Sequence, residues 1–138
     1  MTRYITAAIF SLISSVAAAE WVVIGVSDDY IAYADLATIS REGDLARMQD
    51  LIDLKAPGLS PYGRQHASSR AHSEFDCQNA RIRTIAFSLH SGQMGDGDVI
   101  ETVVESTRWL SATPGTLLDI LWKFACDADA SVTQHGFE

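Results

Sequence analysis

The stretch S-S-R-A-H-S-E-F-D-C-Q-N-A-R-I-R-T-I-A-F-S-L-H, Ser68–His90, decides how this chain folds. Its first half alternates. Ala71, Ser73, Phe75 and Cys77 point to one side of an extended strand running from Ala67 to Cys77, and His72, Glu74 and Asp76 to the other. Gln78-Asn79-Ala80 is a turn signal, and Arg81 to His90 reads as the returning strand. In that strand Ile85, Phe87 and Leu89 share a face with Arg81 and Arg83. A tight hairpin pairing odd positions with odd ones puts both arginines on the side of Phe75 and Cys77.

Outward from this hairpin the same grammar repeats. Trp21–Val26 is a β-branched strand closed by Ser27-Asp28-Asp29, and Tyr30–Ala34 is a second strand. Asp35 starts a turn before Leu36–Ser40 re-enters the sheet, and Arg41-Glu42-Gly43-Asp44 is a hairpin turn into Leu45–Lys55. Ala56–Gly63, with two of the three prolines, is expected to be a surface loop. Ser91–Asp98 is a glycine-rich solvated loop, and Val99–Ser106 is the last strand. Thr113-Pro114-Gly115 is expected to open a helix with Thr113 as its cap. Leu117, Leu118, Leu121, Trp122 and Ala125 then form one apolar side, with Asp119 and Lys123 opposite. Short connections favour antiparallel neighbours, so the expected fold is α+β: a single antiparallel meander with one C-terminal helix on one face.

The ends set the setting. Met1-Thr2-Arg3, the apolar run Tyr4–Val16 and Ala17-Ala18-Ala19 read as a cleavable secretory signal, residues 1–19. The run is too short, and too interrupted by serines, for a spanning anchor. Residues 20–126 form one domain, and 127–138, polar and without periodicity, a flexible acidic tail. No cysteine follows the cleavage site to carry a lipid, so the product is expected free in the periplasm or secreted, without a membrane span. Cys77 and Cys126 are the only cysteines, and in an exported chain a pair favours a disulfide over two buried thiols. That bond ties the helix end to the helix-covered face of the sheet.

Of 138 residues, 47% are hydrophobic and 20% charged, with a formal charge of −8. This composition suits a globular domain, and its sign repels nucleic acid. Arg64, Arg70, Arg81 and Arg83, with His66, concentrate positive charge mid-chain and are the candidate partner-binding residues. Their simpler role is ion pairing with Glu74, Asp76 or the acidic tail. The row His72, Glu74, Asp76 offers ligand types for a metal, but no further ligand stands at recognisable spacing, and it reads as a solvated strand face. Asp96 and Asp98 in the G-x-x-G-x-G loop are weak calcium-ligand types on a hairpin loop. No nucleophile-elbow or metalloprotease string occurs, and nothing points to catalysis.

Several of these residues, taken in order, resemble the surface-adhesin protein E family of Gram-negative bacteria. They are Trp21, Tyr33-Ala34-Asp35, Ile39, Gly43, Ser68-Ser69-Arg70, Phe75-Asp76-Cys77, Arg81, Arg83, Gly95, Trp109, Pro114-Gly115 and Cys126. The resemblance implies six antiparallel strands with the C-terminal helix held by the disulfide. It also implies an exported, non-enzymatic binding module for a protein or envelope partner, as a monomer or weak homodimer. The alternative it suggests is a haem carrier, with an axial ligand among His66, His72, His90, His135, Met48 and Met94. This chain departs from the family's lipoproteins in lacking the lipidation cysteine and in being strongly acidic.

Overall fold

A computed structural model describes residues 19–135, with side chains as far as Asp127. The predicted signal segment lies, up to Ala18, outside the described residues. Seven strands run as β1 (Trp21–Val26), β2 (Tyr30–Glu42), β3 (Leu45–Leu59), β4 (Gln65–Asp76), β5 (Arg81–His90), β6 (Val99–Val103) and β7 (Leu110–Ser111). One helix follows, α1 (Leu117–His135). The sheet is antiparallel and its order is the chain order. β6 and β7 share the outer edge of β5, one beside residues 87–90 and the other beside Arg81 and Ile82, so the sheet is six strands wide. None of the described helical structure is long and apolar enough to cross a membrane.

Two expected breaks are absorbed into longer strands. At Asp35 the chain does not reverse, and β2 continues through an irregularity between Asp35 and Ser40. There Asp35 Oδ1 accepts the Ala37 N–H at 3.1 Å, and the Asp35 carbonyl accepts the Thr38 hydroxyl at 2.7 Å. Local side-chain bonding thus makes a bulge where it was expected to make a turn. The expected loop at Ala56 likewise begins later. β3 runs to Leu59, with Pro57 inside the unpaired interval between Asp53 and Gly58, where its missing N–H costs no ladder bond.

The β4–β5 turn corrects the expected side of two arginines. Asp76 pairs with Arg81, leaving four residues in the turn, so odd positions pair with even ones: Phe75 with Ile82 and Glu74 with Arg83. Arg81 and Arg83 therefore lie on the face away from the helix. A bulge then intervenes, since Ser73 pairs with Thr84 but His72 with Ala86. Beyond it Ala71 meets Phe87 and Ser69 meets Leu89, the odd-to-odd register expected for the whole hairpin. Asp76 builds the turn, with Oδ1 accepting the N–H groups of Gln78 and Asn79 and Oδ2 accepting Arg81 at 2.7 Å.

The helix also starts later than expected. Pro114 and Gly115 occupy the middle of a turn closed by Thr116 N–H to the Thr113 carbonyl at 3.2 Å, and Gly115 has φ 83°. Proline followed by a left-handed glycine suits a type II turn and cannot be a first helical turn. Thr116 is the cap, its hydroxyl 3.4 Å from the Asp119 N–H. Asp119 is buried rather than wetted. It accepts the Gly115 N–H and the Lys123 ammonium, both at 3.1 Å, and its charge suits the helix N-terminus. At the other end the helix runs on to His135, so residues 127–135 are helical where a tail was expected.

Between helix and sheet lie Ala34, Ala46, Met48, Phe75, Ile82, Leu121 and Ala125, with Trp122 and the disulfide at the margin. Small strand residues let the helix approach closely, and Gly25 would bring a Cβ within 3.4 Å of Ile120. Cys77 and Cys126 are bonded, their Cα atoms 5.6 Å apart. Beside them Trp122 Nε1 donates to the Asp76 carbonyl at 2.9 Å, and Arg41 donates to the Cys126 carbonyl at 3.0 Å.

Leu121 is 4% exposed at the centre of this layer. Leu121→Ala is expected to lower unfolding free energy by about 2–5 kcal/mol in denaturant titration, as buried leucine truncations do. The hydrogen bonds from Arg81 and then Asn79 hold the Asp76 carboxyl down at about 2, below its ordinary 3.8. Because the native value is the lower one, this stabilisation is complete above pH 4 and disappears as pH falls towards 2. Thermal midpoints of Asp76→Asn should therefore fall less steeply than those of the wild type across that interval.

Candidate functional site

The face opposite the helix carries the candidate site, because the four-residue turn directs the even positions of β4 and the odd positions at the start of β5 towards it. At the turn end, Arg83 Nη2 lies 3.1 Å from Glu74 Oε1, and Arg81 Nη2 lies 2.7 Å from Asp76 Oδ2. Arg47 approaches Glu74 from β3 at 3.9 Å. The carboxylates are buried, whereas the Arg81 and Arg83 side chains remain 43% and 32% exposed. Anions thus lie inside and cations outside, which gives an acidic chain a locally basic surface.

Trp109 completes this cluster. The pairing of β7 with Arg81 and Ile82 brings Trp109 alongside, where the Arg81 and Arg83 guanidinium carbons lie 5.2 and 4.6 Å from its ring centroid. Each arginine is thereby held by a carboxylate and an aromatic face, a combination that fixes its orientation.

The other end of the face is covered. The expected solvated loop at Ser91–Asp98 folds back onto the sheet through a 3₁₀ turn at Gln93–Gly95. The Ser68 hydroxyl donates to the Gly92 carbonyl at 2.6 Å and accepts the Gly95 N–H at 2.9 Å. Asp53 Oδ1 accepts the Met94 N–H at 3.0 Å. Gly95, at φ 73°, leaves room for Arg70, whose Cδ would stand 2.9 Å from a Cβ there. Arg70 in turn lies over the Trp21 ring at 5.3 Å, and Leu51 beneath is fully buried.

Between the two ends an open depression of about 260 Å³ is lined by Gln49, Arg70, His72, Ala86, Ser88 and Thr102 among others. His90 is buried, with Nε2 2.7 Å from the Ser88 hydroxyl. Burial, and then the nearby Arg70 charge, hold its pKa below the ordinary value.

The four candidate arginines therefore do not form one rim. Arg81 and Arg83 act together, and Arg70 is committed to Trp21. Arg64 stands apart after the β3–β4 turn, donating to the Ile100 carbonyl at 2.9 Å. In the row His72, Glu74, Asp76, the carboxylates are occupied by arginines, and among the described residues no three ligand-type side chains converge on a metal position. Asp96 and Asp98 are exposed. Of the haem-ligand candidates, Met48 is sealed in the core, His72 lines the depression, and His135 has no described side chain. Sequence reasoning missed Trp109 and Trp21 as stacking partners and Arg47 as the second cation on Glu74. The signal available for the first was turn length, which decides the side on which Arg81 and Arg83 emerge.

The sequence matches the family described as Surface-adhesin protein E over residues 21–127. Among curated proteins none matches at a significant level. Solved structures of Haemophilus influenzae protein E are similar in fold. One superposes with a TM-score of 0.56 at 19% identity, covering 76% of this chain and 89% of that one. A second crystal form gives 0.57 at 18% identity, with 81% and 98% covered. Protein E from non-typeable Haemophilus influenzae gives 0.52 at 17% identity, with 81% and 87% covered. The residues first quoted for the resemblance now have places in the structure: Trp21, Ser68, Arg70 and Gly95 pack together at one end of the free face, and Asp76, Arg81, Arg83 and Trp109 at the other. With a family match spanning most of its length and the same architecture, the chain belongs to the surface-adhesin protein E family.

Proposed function

We propose that this chain is an exported, non-enzymatic binding module that grips a protein or envelope component through the face opposite its helix. The observation that carries this reading is the Arg81–Trp109–Arg83 stack. Tryptophan and arginine are the residue types that most often dominate binding energy, and here they are held in place before any partner arrives. The buried Glu74 and Asp76 orient the guanidinium groups, and the exposed parts of those groups remain available to a partner's carboxylates. A partner presenting acidic groups fits this surface better than one presenting basic groups, although the chain's overall charge is −8.

The N-terminal signal reading and the disulfide support export, which leaves the module free in the periplasm or secreted. The candidate-site geometry supports binding, since its carboxylates are neutralised by arginines.

The test is crosslinked capture from envelope fractions of the native host, with the identified partner then titrated against purified variants. Trp109→Ala and Arg83→Ala are each expected to weaken that binding about thirtyfold, the scale of an interface hot spot. Arg64→Ala is expected to leave it within about twofold, as for peripheral contacts. Undiminished binding by both site variants, with native circular dichroism, would remove this face from the function.

A further inference from the structure

Asp50 lies on β3 on the helix-covered side, independent of the face discussed above. It is 4% exposed, yet it receives no hydrogen bond and pairs with no cation among the described residues. Directly across from it on either side stand Ala34 and Ala71, which bring no polar group. Burial with nothing to offset it pushes its carboxyl up to about 7. An acid with no partner from the chain is destabilising in so apolar a place, and a ligand cation would offset that cost.

The carboxyl borders an open pocket of about 250 Å³ between the sheet and α1. Its apolar walls include Ile52, Phe87, Leu89, Leu117 and Leu118, and three hydroxyl residues, Ser69, Ser73 and Thr84, also border it. Ser69 and Ser73 are the diagonal cross-strand neighbours of Asp50, because Ile52 and Met48 are the residues they pair with. We propose that this pocket is a binding site for a small primary amine with an apolar body, its ammonium held by Asp50 and one neighbouring serine hydroxyl.

The match is one of counted groups. An ammonium has three donors and no acceptor; the carboxylate can take two of them, and the hydroxyl of Ser69 or of Ser73, each diagonal to Asp50 across the ladder, can take the third. The apolar walls take the body. An enclosed cavity of ~150 Å³ holds benzene, so an open pocket of this volume has room for a small aromatic or alkyl body. Above pH 7, where Asp50 is ionised, an acid of the same shape would place two negative charges together and is disfavoured.

The experiment uses the mature chain with its disulfide intact. 2-Phenylethylamine, n-hexylamine and phenylacetate are titrated above pH 7 and followed by amide chemical shifts and calorimetry. At least one amine is expected to bind saturably at millimolar concentration, with shifts centred on Asp50, Ser73 and Leu118, and phenylacetate is expected not to bind. Asp50→Asn should weaken the amine at least tenfold and raise the thermal midpoint of the ligand-free protein. Ala71→Leu, which fills the pocket and keeps the acid, should abolish binding. Failure of both amines to bind overturns the proposal, as does equal binding by Asp50→Asn. A lowered midpoint in Asp50→Asn also overturns it, because that would show the carboxyl stabilising the fold itself.

Discussion

The docking of α1 at the β4–β5 turn is the constraint on which the rest of this molecule depends. Three links converge there: the Cys77–Cys126 bond, the Trp122 indole on the Asp76 carbonyl, and Arg41 on the Cys126 carbonyl. For a loop of this length, chain-entropy reasoning assigns the disulfide about 4 kcal/mol. The apolar layer beneath the helix is thin and rich in alanine, so its area alone contributes less than a layer of large side chains would. The covalent link matters correspondingly more.

Asp76 joins the two faces. Its carbonyl holds the helix on one side, and its carboxylate holds Arg81 on the other. The turn that fastens the helix is therefore also the turn that aims the Arg81–Trp109–Arg83 stack. Covering one face frees the other. A seventh short strand, β7, then brings Trp109 to the arginines at the sheet edge. The division of labour is physical: the helix side is apolar apart from Asp50 and a few hydroxyls, and the free side is built from ion pairs and aromatic faces.

Much of this was legible in the strands. Alternation placed Phe75 inside and Glu74 and Asp76 outside, the leucines of α1 marked its buried side, and two cysteines in an exported chain announced their bond. What was misread came from registers and remote partners. Gln78-Asn79-Ala80 signals a turn, but nothing local says that Cys77 belongs to it, and that single residue moves Arg81 and Arg83 to the opposite face. The bulge beside Ile85 restores the expected parity only farther along. The glycine-rich loop reads as solvated because the groups that hold it down, Ser68 and Asp53, come from distant strands. Pro114 reads as a helix start until the left-handed Gly115 behind it is recognised as half of a turn. Asp50 shares its parity with Met48 and Ile52, a signal of its buried side that was not used.

Native-state hydrogen exchange on a Cys77→Ser/Cys126→Ser chain tests the docking constraint most directly. Loss of about 4 kcal/mol predicts roughly thousandfold faster exchange for the amides of residues 120–126, and at most that factor for amides of β2 to β5 that exchange through global unfolding. Helix amides that stay as protected as those of the disulfide-bonded protein would contradict the account, because the helix would then be held by packing alone.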